Sequence, residues 1–199
     1  YTKALRSKSL WINKLSKICK DLNFDYENLS ITSKIYVDCF KKHLKEIDQE
    51  KWYSDIYNDA GCENGNKLRL YRIHKERIAT ELYVCDQDIS RYERSVLAKL
   101  RCGSLPLNIE TGRYIKTPLD KRFCNLCQAK SIENEIHFMV ECCFYEDLRY
   151  NLFHDVATTF SNFNELPAIA KYMTLMTSAN VKLLSKTVVT MFNRRKCFT

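Results

Sequence analysis

Cys124, Cys127, His137 and Cys142 stand at the spacing C-x2-C-x9-H-x4-C inside the stretch RFCNLCQAKSIENEIHFMVECC, residues 122 to 143. Two residues between the first pair of thiols let a tight turn aim both sulfurs at one point, and the nine-residue loop returns the chain to it. His137 and Cys142, little more than one helical turn apart, complete four ligands. Three thiolates and one imidazole suit tetrahedral Zn2+, whereas Mg2+ and Ca2+ take oxygen ligands. Four protein ligands leave no open position for water or substrate, so the ion is structural, with an apparent binding free energy of about 10–16 kcal/mol in small zinc peptides. Cys143 competes with Cys142 as the fourth ligand, and spacing separates the two only weakly. The bland alternative is a C-x2-C pair in a buried patch of sulfur and aromatic side chains, or a redox pair.

Elements predicted from periodicity must carry this loop. Leu10, Ile12, Leu15, Ile18, Cys19 and Leu22 recur near helical spacing, with Ser7 or Ser9 able to cap the start. Thr32 or Ser33 opens a longer helical pattern through Ile35, Cys39, Phe40, Leu44, Ile47, Trp52 and Ile56, and NDAGCENGNK is the clearest linker. KLRLYRIHKERIATELYV places Leu68, Tyr71, Ile78 and Leu82 on one side of a predicted helix and Arg69, Arg72, Lys75 and Arg77 on the other. Asp88 or Ser90 caps a further helix with Val96, Leu97 and Leu100 inward and Gly103 as its stop. SLPLNIETGRYIKTPLDKR reads as irregular chain. Beyond the cysteines, helices are expected through Leu148, Leu152, Phe153, Val156 and Phe160, then around residues 165–176 and 180–194. The expected fold is mainly α: a helical bundle with one Cys3His zinc-binding knuckle inserted as a loop. Residues 1–60 form an N-terminal helical segment, and residues 61–199 hold the basic helices, the knuckle at 120–145 and the C-terminal helices.

With 199 residues and 45% hydrophobic content the chain can bury a real core, and only 4 Gly and 3 Pro favour helices over hairpins. No apolar run approaches the roughly 18 residues of a membrane span, and no signal core is present, so an intracellular protein of the nucleus or cytoplasm is expected. Tyr1 in place of Met suggests a chain cut from a longer protein. Ten Cys scattered mostly singly through helical segments read as reduced thiols rather than a disulfide framework. The net charge of +8 is uneven: residues 61–130 carry 14 Lys/Arg against 8 Asp/Glu, while residues 131–199 carry 7 of each. A localised cationic excess suits a polyanion, or is simply a solvated helix surface. His43, His74 and His154 lack a nucleophile and acid in reach, the pairs Glu133 with Glu135 and Glu146 with Asp147 read as solvated caps, and no Gly-rich phosphate loop is present. No enzyme mechanism follows.

LAKLRCGSLPLNIETGRY, RFCNLC, IENEIHFMVEC and FYEDLR together resemble the zinc-binding region C-terminal to the reverse transcriptase of non-LTR retrotransposons and related retroelement-derived proteins. The matching positions are Leu100, Arg101, Gly103, Ile109, Glu110, Gly112, Arg113, Tyr114, Cys124, Cys127, Glu133, Glu135, His137, Phe138, Cys142, Tyr145 and Arg149. The strong part covers residues 96–150, with weaker likeness on both sides. The polymerase Asp-Asp box and any endonuclease or RNase H carboxylate set are missing. The resemblance implies an accessory module that grips RNA or DNA beside an upstream reverse transcriptase domain of the same polypeptide, itself an RNA-directed DNA polymerase. Arg69, Arg72, Lys75, Arg77, Arg101, Arg113, Lys116, Lys121 and Arg122 are the candidate phosphate contacts, and Tyr114 the better stacking candidate, with Tyr71 and Phe123 more at home in a core. Glu110 and Arg113 are alternatively partners of each other, hence scaffold. The rival reading is a zinc-stabilised protein-interaction domain.

Overall fold

The structure, a computed structural model, describes residues 10–23, 34–59 and 66–198. Its contacts divide the chain into two units, Tyr1–Asp55 and Ile56–Thr199. In the first, helix α1 (Leu10–Asp21) and the long helix α2 (Lys34–Tyr57) follow the two N-terminal periodic patterns. The His43 ring nitrogen Nε2 meets the Leu22 carbonyl at 2.5 Å, and Cys19 is buried. The expected caps Ser7, Ser9, Thr32 and Ser33 lie outside the described residues, as does Cys62.

The second unit is built on three helices: α5 (Arg91–Arg101), α7 (Glu146–Thr159) and α9 (Val181–Lys196), with α9 packed on the other two. Apolar residues at three- and four-residue intervals put one stripe of each helix inward: Val96, Leu97 and Leu100; Leu152 and Val156; Leu184, Val188 and Met191. Each fully buried leucine contributes roughly 1.5–3 kcal/mol over leaving it in water. Ser90 starts α5 with a reciprocal capping box, its Oγ accepting from the Glu93 N–H at 3.2 Å while its own N–H donates to the Glu93 carboxylate at 2.8 Å. Helix α8 (Ala168–Ser178) buries Tyr172 and Leu175 and packs against the metal-loop turn and against the single turn α3 (Tyr71–His74). Among the described residues no strand forms; the nearest approach is one antiparallel bridge, Phe123 to Ile132.

Two stretches depart from their periodicity. The amphipathic helix expected over KLRLYRIHKERIATELYV breaks into a 3-10 turn (Lys67–Arg69), α3, extended chain and a second single turn, α4 (Leu82–Cys85). Three of its cations are held one at a time, Arg69 by Glu135 at 2.5 Å, Arg72 by Asp59 at 3.1 Å and Lys75 by Glu81 of the same stretch at 2.6 Å. Ile78 and Leu82 are exposed, so no apolar stripe holds a continuous helix together. Conversely, the segment taken as irregular contains a two-turn helix, α6 (Asn108–Tyr114). No local residue caps it. The Glu133 carboxylate accepts the Asn108 N–H at 2.8 Å, and the Glu133 carbonyl accepts the Ile109 N–H at 3.0 Å.

Helices α5 and α6 end in the same motif. In α5 the N–H of Ser104 returns to Lys99 and that of Gly103 to Leu100; in α6 the N–H of Thr117 returns to Gly112 and that of Lys116 to Arg113. Both motifs need one left-handed residue. Gly103 supplies it at φ 63°, where a Cβ would fall 2.2 Å from the Lys67 carbonyl oxygen. In α6 the residue is Lys116 at φ 55°.

His74 anchors α3, its ring edge-on to Tyr71 at 5.5 Å and to Tyr172 at 6.4 Å. Burial first, then the nearby Arg101 charge, pull its pKa down from 6.5 to about 4. Neutral imidazole is therefore preferred in the folded chain, so the contribution is present in full above the unfolded pKa and disappears as pH falls through about 4. We predict that urea midpoints measured between pH 6.5 and 4 fall more steeply for the parent than for His74→Gln; parallel slopes would remove His74 from the acid response.

Candidate metal centre

The ligand atoms of Cys124, Cys127, His137 and Cys142 all lie within 4.8 Å of one another. Cys124 Sγ is 3.9 Å from Cys142 Sγ, and Cys127 Sγ is 3.4 Å from His137 Nε2. Sulfurs bound to one tetrahedral ion at about 2.3 Å sit about 3.8 Å apart, so these edges already have the length that coordination requires. The set can hold a metal ion. Cys143, by contrast, is exposed and outside this cluster, which assigns the fourth position to Cys142.

Each ligand is placed by a local device. The Leu126 N–H points at Cys124 Sγ at 3.4 Å, folding the C-x2-C turn about the first sulfur. The chain returns antiparallel, with Cys124 N–H donating to Ser131 at 2.8 Å and Glu133 N–H to Arg122 at 2.9 Å. Asn134 then caps the next turn through its side chain, accepting the His137 N–H at 2.8 Å. His137 and Cys142 are five residues apart, about 140° out of phase on an α-helix. The chain instead makes a π-turn over His137–Glu141, closed by the Cys142 N–H to the His137 carbonyl at 2.8 Å, and the widened turn brings both side chains to one side. His137 Nδ1 lies 3.4 Å from the Glu141 carboxylate, which fixes the tautomer that leaves Nε2 facing the sulfurs.

Burial pushes the Cys142 thiol well up, with Cys124 and Cys127 adding to it against the opposing Phe144 N–H; burial also raises Cys124. Thiols held this way stay protonated until a cation replaces the protons, so metal uptake releases protons and acid reverses it.

A ring of buried charge supports the loop. Glu133 and Glu135, each 1% exposed, correct the reading of that pair as a solvated cap. Arg195 grips Glu133 with two bonds, 2.7 and 2.8 Å, and Arg69 holds Glu135. Arg122, 2% exposed, donates to the Ile109 carbonyl at 2.7 Å and twice to the Thr117 carbonyl, at 2.9 and 2.8 Å. It lies against Gly112, where a Cβ would come within 2.7 Å of its side chain. Arg149 donates to the Cys142 carbonyl at 2.7 Å, and Tyr145 is buried edge-on to Phe138 at 4.9 Å.

These placements sort the cationic candidates. Arg101 and Arg122 lie in the interior, Arg101 donating to the Met176 carbonyl at 2.7 Å and to Glu81 at 3.1 Å, so neither presents its charge to a phosphate. Arg69, Arg72 and Lys75 are held in the ion pairs given above. Arg113 lies 3.3 Å from Glu110, which also meets Lys67 at 2.5 Å, the scaffold role that the sequence left open. Lys116, Lys121 and Arg77 are exposed, with Tyr114 at 74% and Phe123 at 41%. Tyr114 closes α6 rather than sitting in irregular chain, and Phe123 is more open than a core residue. Glu133, Arg195 and Asn134 are the supporting residues that spacing alone did not single out; the sign of Glu133 was its place among the motif positions.

No protein-family model, curated protein or solved structure matches the chain.

Two outcomes follow. Cys127→Ser removes one ligand and lowers the thermal midpoint, and the parent melts lower in excess chelator while the variant scarcely responds; equal melting of the parent with and without chelator contradicts the site. Glu141→Gln leaves the ligands intact and weakens metal affinity by about 10-fold or more, read by competition with a colorimetric chelator.

Proposed function

We propose that this chain is a zinc-stabilised nucleic-acid-binding module, the accessory C-terminal part of a retroelement reverse transcriptase, without catalysis of its own. Zn2+ is the ion that a closed Cys3His set selects, and its role is to fold the loop. The observation that carries the reading is Lys116. A left-handed residue at the end of a helix is ordinarily Gly, because a side chain there costs about 1–2 kcal/mol, yet here the position holds an exposed lysine between exposed Ile115 and the turn into the metal loop. Strain kept on an exposed cation points to use. Lys121 and Phe123, with Ile115 and Thr117 on either side of Lys116 in the chain, line a niche of about 190 Å³, and Tyr114 and Lys116 are exposed in the same segment. Ammonium groups for phosphates and open aromatic faces for unpaired bases are what single-stranded nucleic acid binds.

Lys116→Gly separates the two roles: it raises stability by about 1 kcal/mol while weakening RNA and DNA binding. Lys116→Ala with Lys121→Ala lowers the slope of log affinity against log salt by about one per lysine, measured by fluorescence anisotropy with a labelled oligonucleotide. Binding that ignores salt and both lysines, or tight capture of a protein partner without affinity for nucleic acid, contradicts this reading.

A further inference from the structure

Beside its buried stripe, helix α7 carries a second set of residues, Glu146, Arg149, Tyr150, Phe153, His154 and Ala157, at steps of three and four. With Asn164 of the 3-10 turn Phe163–Glu165 they line a pocket of about 310 Å³. It shares no residue with the niche beside Lys116. Most of the lining is open, with Tyr150 67% exposed and Glu146, His154 and Asn164 exposed as well. Tyr150 and His154 stack on each other, ring centroids 6.3 Å apart and planes 28° from parallel. Two flat rings are thus displayed together at the mouth of the pocket.

Arg149 gives the pocket its chemistry. It is a buried residue, and its guanidinium is held by the Cys142 carbonyl at 2.7 Å and by the Phe153 ring, 5.5 Å from the guanidinium carbon. Those contacts use one Nη1–H and leave Nε and Nη2 without a hydrogen-bond partner among the described residues, while neither nitrogen is sealed from solvent. Arg195, by contrast, is spent on Glu133 and Asn108. Arg149 is therefore a fixed donor with open N–H groups. Glu146 stands one turn earlier on the same side of the helix, exposed and in no ion pair or side-chain hydrogen bond among the described residues. A donor group and an acceptor group are neighbours beside a stacked aromatic pair. The matching ligand is flat and carries acceptors next to donors along one edge.

We propose that this pocket receives an unpaired guanine of a bound strand, stacked on Tyr150 and His154, with N7 and O6 accepting from Arg149 and N1–H and N2–H donating to Glu146. Guanine has that order of groups along its edge, and an arginine fork on O6 and N7 is a common way to read it. Adenine turns its N6 amino donor toward the arginine, and cytosine does the same with N4. Uracil offers only one acceptor and one donor in the right sense. A bare phosphate would meet the Glu146 carboxylate as well as Arg149 and would leave the aromatic faces unused. The proposal rests on the nucleic-acid reading above and adds to it a preference for one base.

The test uses the full metal-loaded chain and fluorescence anisotropy with labelled single strands of adenine in which one position is changed to guanine, to hypoxanthine or to 7-deazaguanine. Guanine should bind about tenfold tighter than adenine at that position. Hypoxanthine, which lacks the N2 amino group, and 7-deazaguanine, which lacks the N7 acceptor, should each lose part of that gain. Because Arg149 also holds the Cys142 carbonyl, it is probed from the ligand side, through N7. Glu146→Ala, at an exposed position, should make guanine and hypoxanthine equal while the 7-deazaguanine penalty persists, with metal content and the circular dichroism spectrum unchanged. Tyr150→Ala should weaken the guanine strand with the same folded-state controls. Equal affinity for the guanine and adenine strands, or a hypoxanthine penalty that Glu146→Ala leaves intact, overturns the subsite and spares the nucleic-acid reading. Failure of every strand to bind overturns both.

Discussion

The second unit turns on the meeting of three sulfurs and one imidazole nitrogen within 4.8 Å. Such a meeting is unfavourable without a cation. Burial raises the thiols of Cys142 and Cys124 and disfavours their ionised forms, and His137 is buried with them. A divalent ion inverts the sign, because it favours the thiolates and satisfies the ring nitrogen. With the ion bound, the segment from Cys124 to Cys142 becomes a fixed body on which other elements can be hung.

They are hung on it through buried charge. Glu133 follows the returning chain of the loop, and its carboxylate and carbonyl start α6, while its other bonds hold Arg195 near the end of α9. Glu135 holds Arg69, and Arg122 closes the far end of α6 through the Thr117 carbonyl. Breaking one buried pair by removing a partner typically costs about 3–5 kcal/mol, since the other charge is left stranded. The loop thus supplies the cap of one helix and the counter-charge of another, and the exposed path from Tyr114 to Phe123 takes its shape from both. No helix among the described residues is long and apolar enough to cross a membrane, and the nine described cysteines are free thiols.

What could be read from the sequence tracks how local each cause is. The ligand spacing, a cap at Asp88 or Ser90, the stop at Gly103 and the inward stripes of α5 and α7 depend on neighbours a few residues apart, and all were legible; the structure selects Ser90 and adds Glu93 to its cap. Helix α6 was not, because its cap, Glu133, lies 25 residues downstream. The stretch from Lys67 to Cys85 failed the other way: its cations repeat at helical spacing, but Glu135, Asp59 and Glu81 fix them one at a time, and exposed Ile78 and Leu82 give no stripe. Charge type was visible and charge position was not, so Arg101 and Arg122, which look like surface cations in the sequence, are interior struts. The π-turn is an intermediate case, since the five-position step from His137 to Cys142 already conflicts with an α-helical face.

X-ray absorption on the purified chain, with metal content measured on the same sample, tests the central claim most directly. One zinc per chain, with a first shell of three sulfurs at about 2.3 Å and one nitrogen at about 2.0–2.1 Å, is the predicted result. Metal at trace level only, or a shell dominated by oxygen, would contradict it.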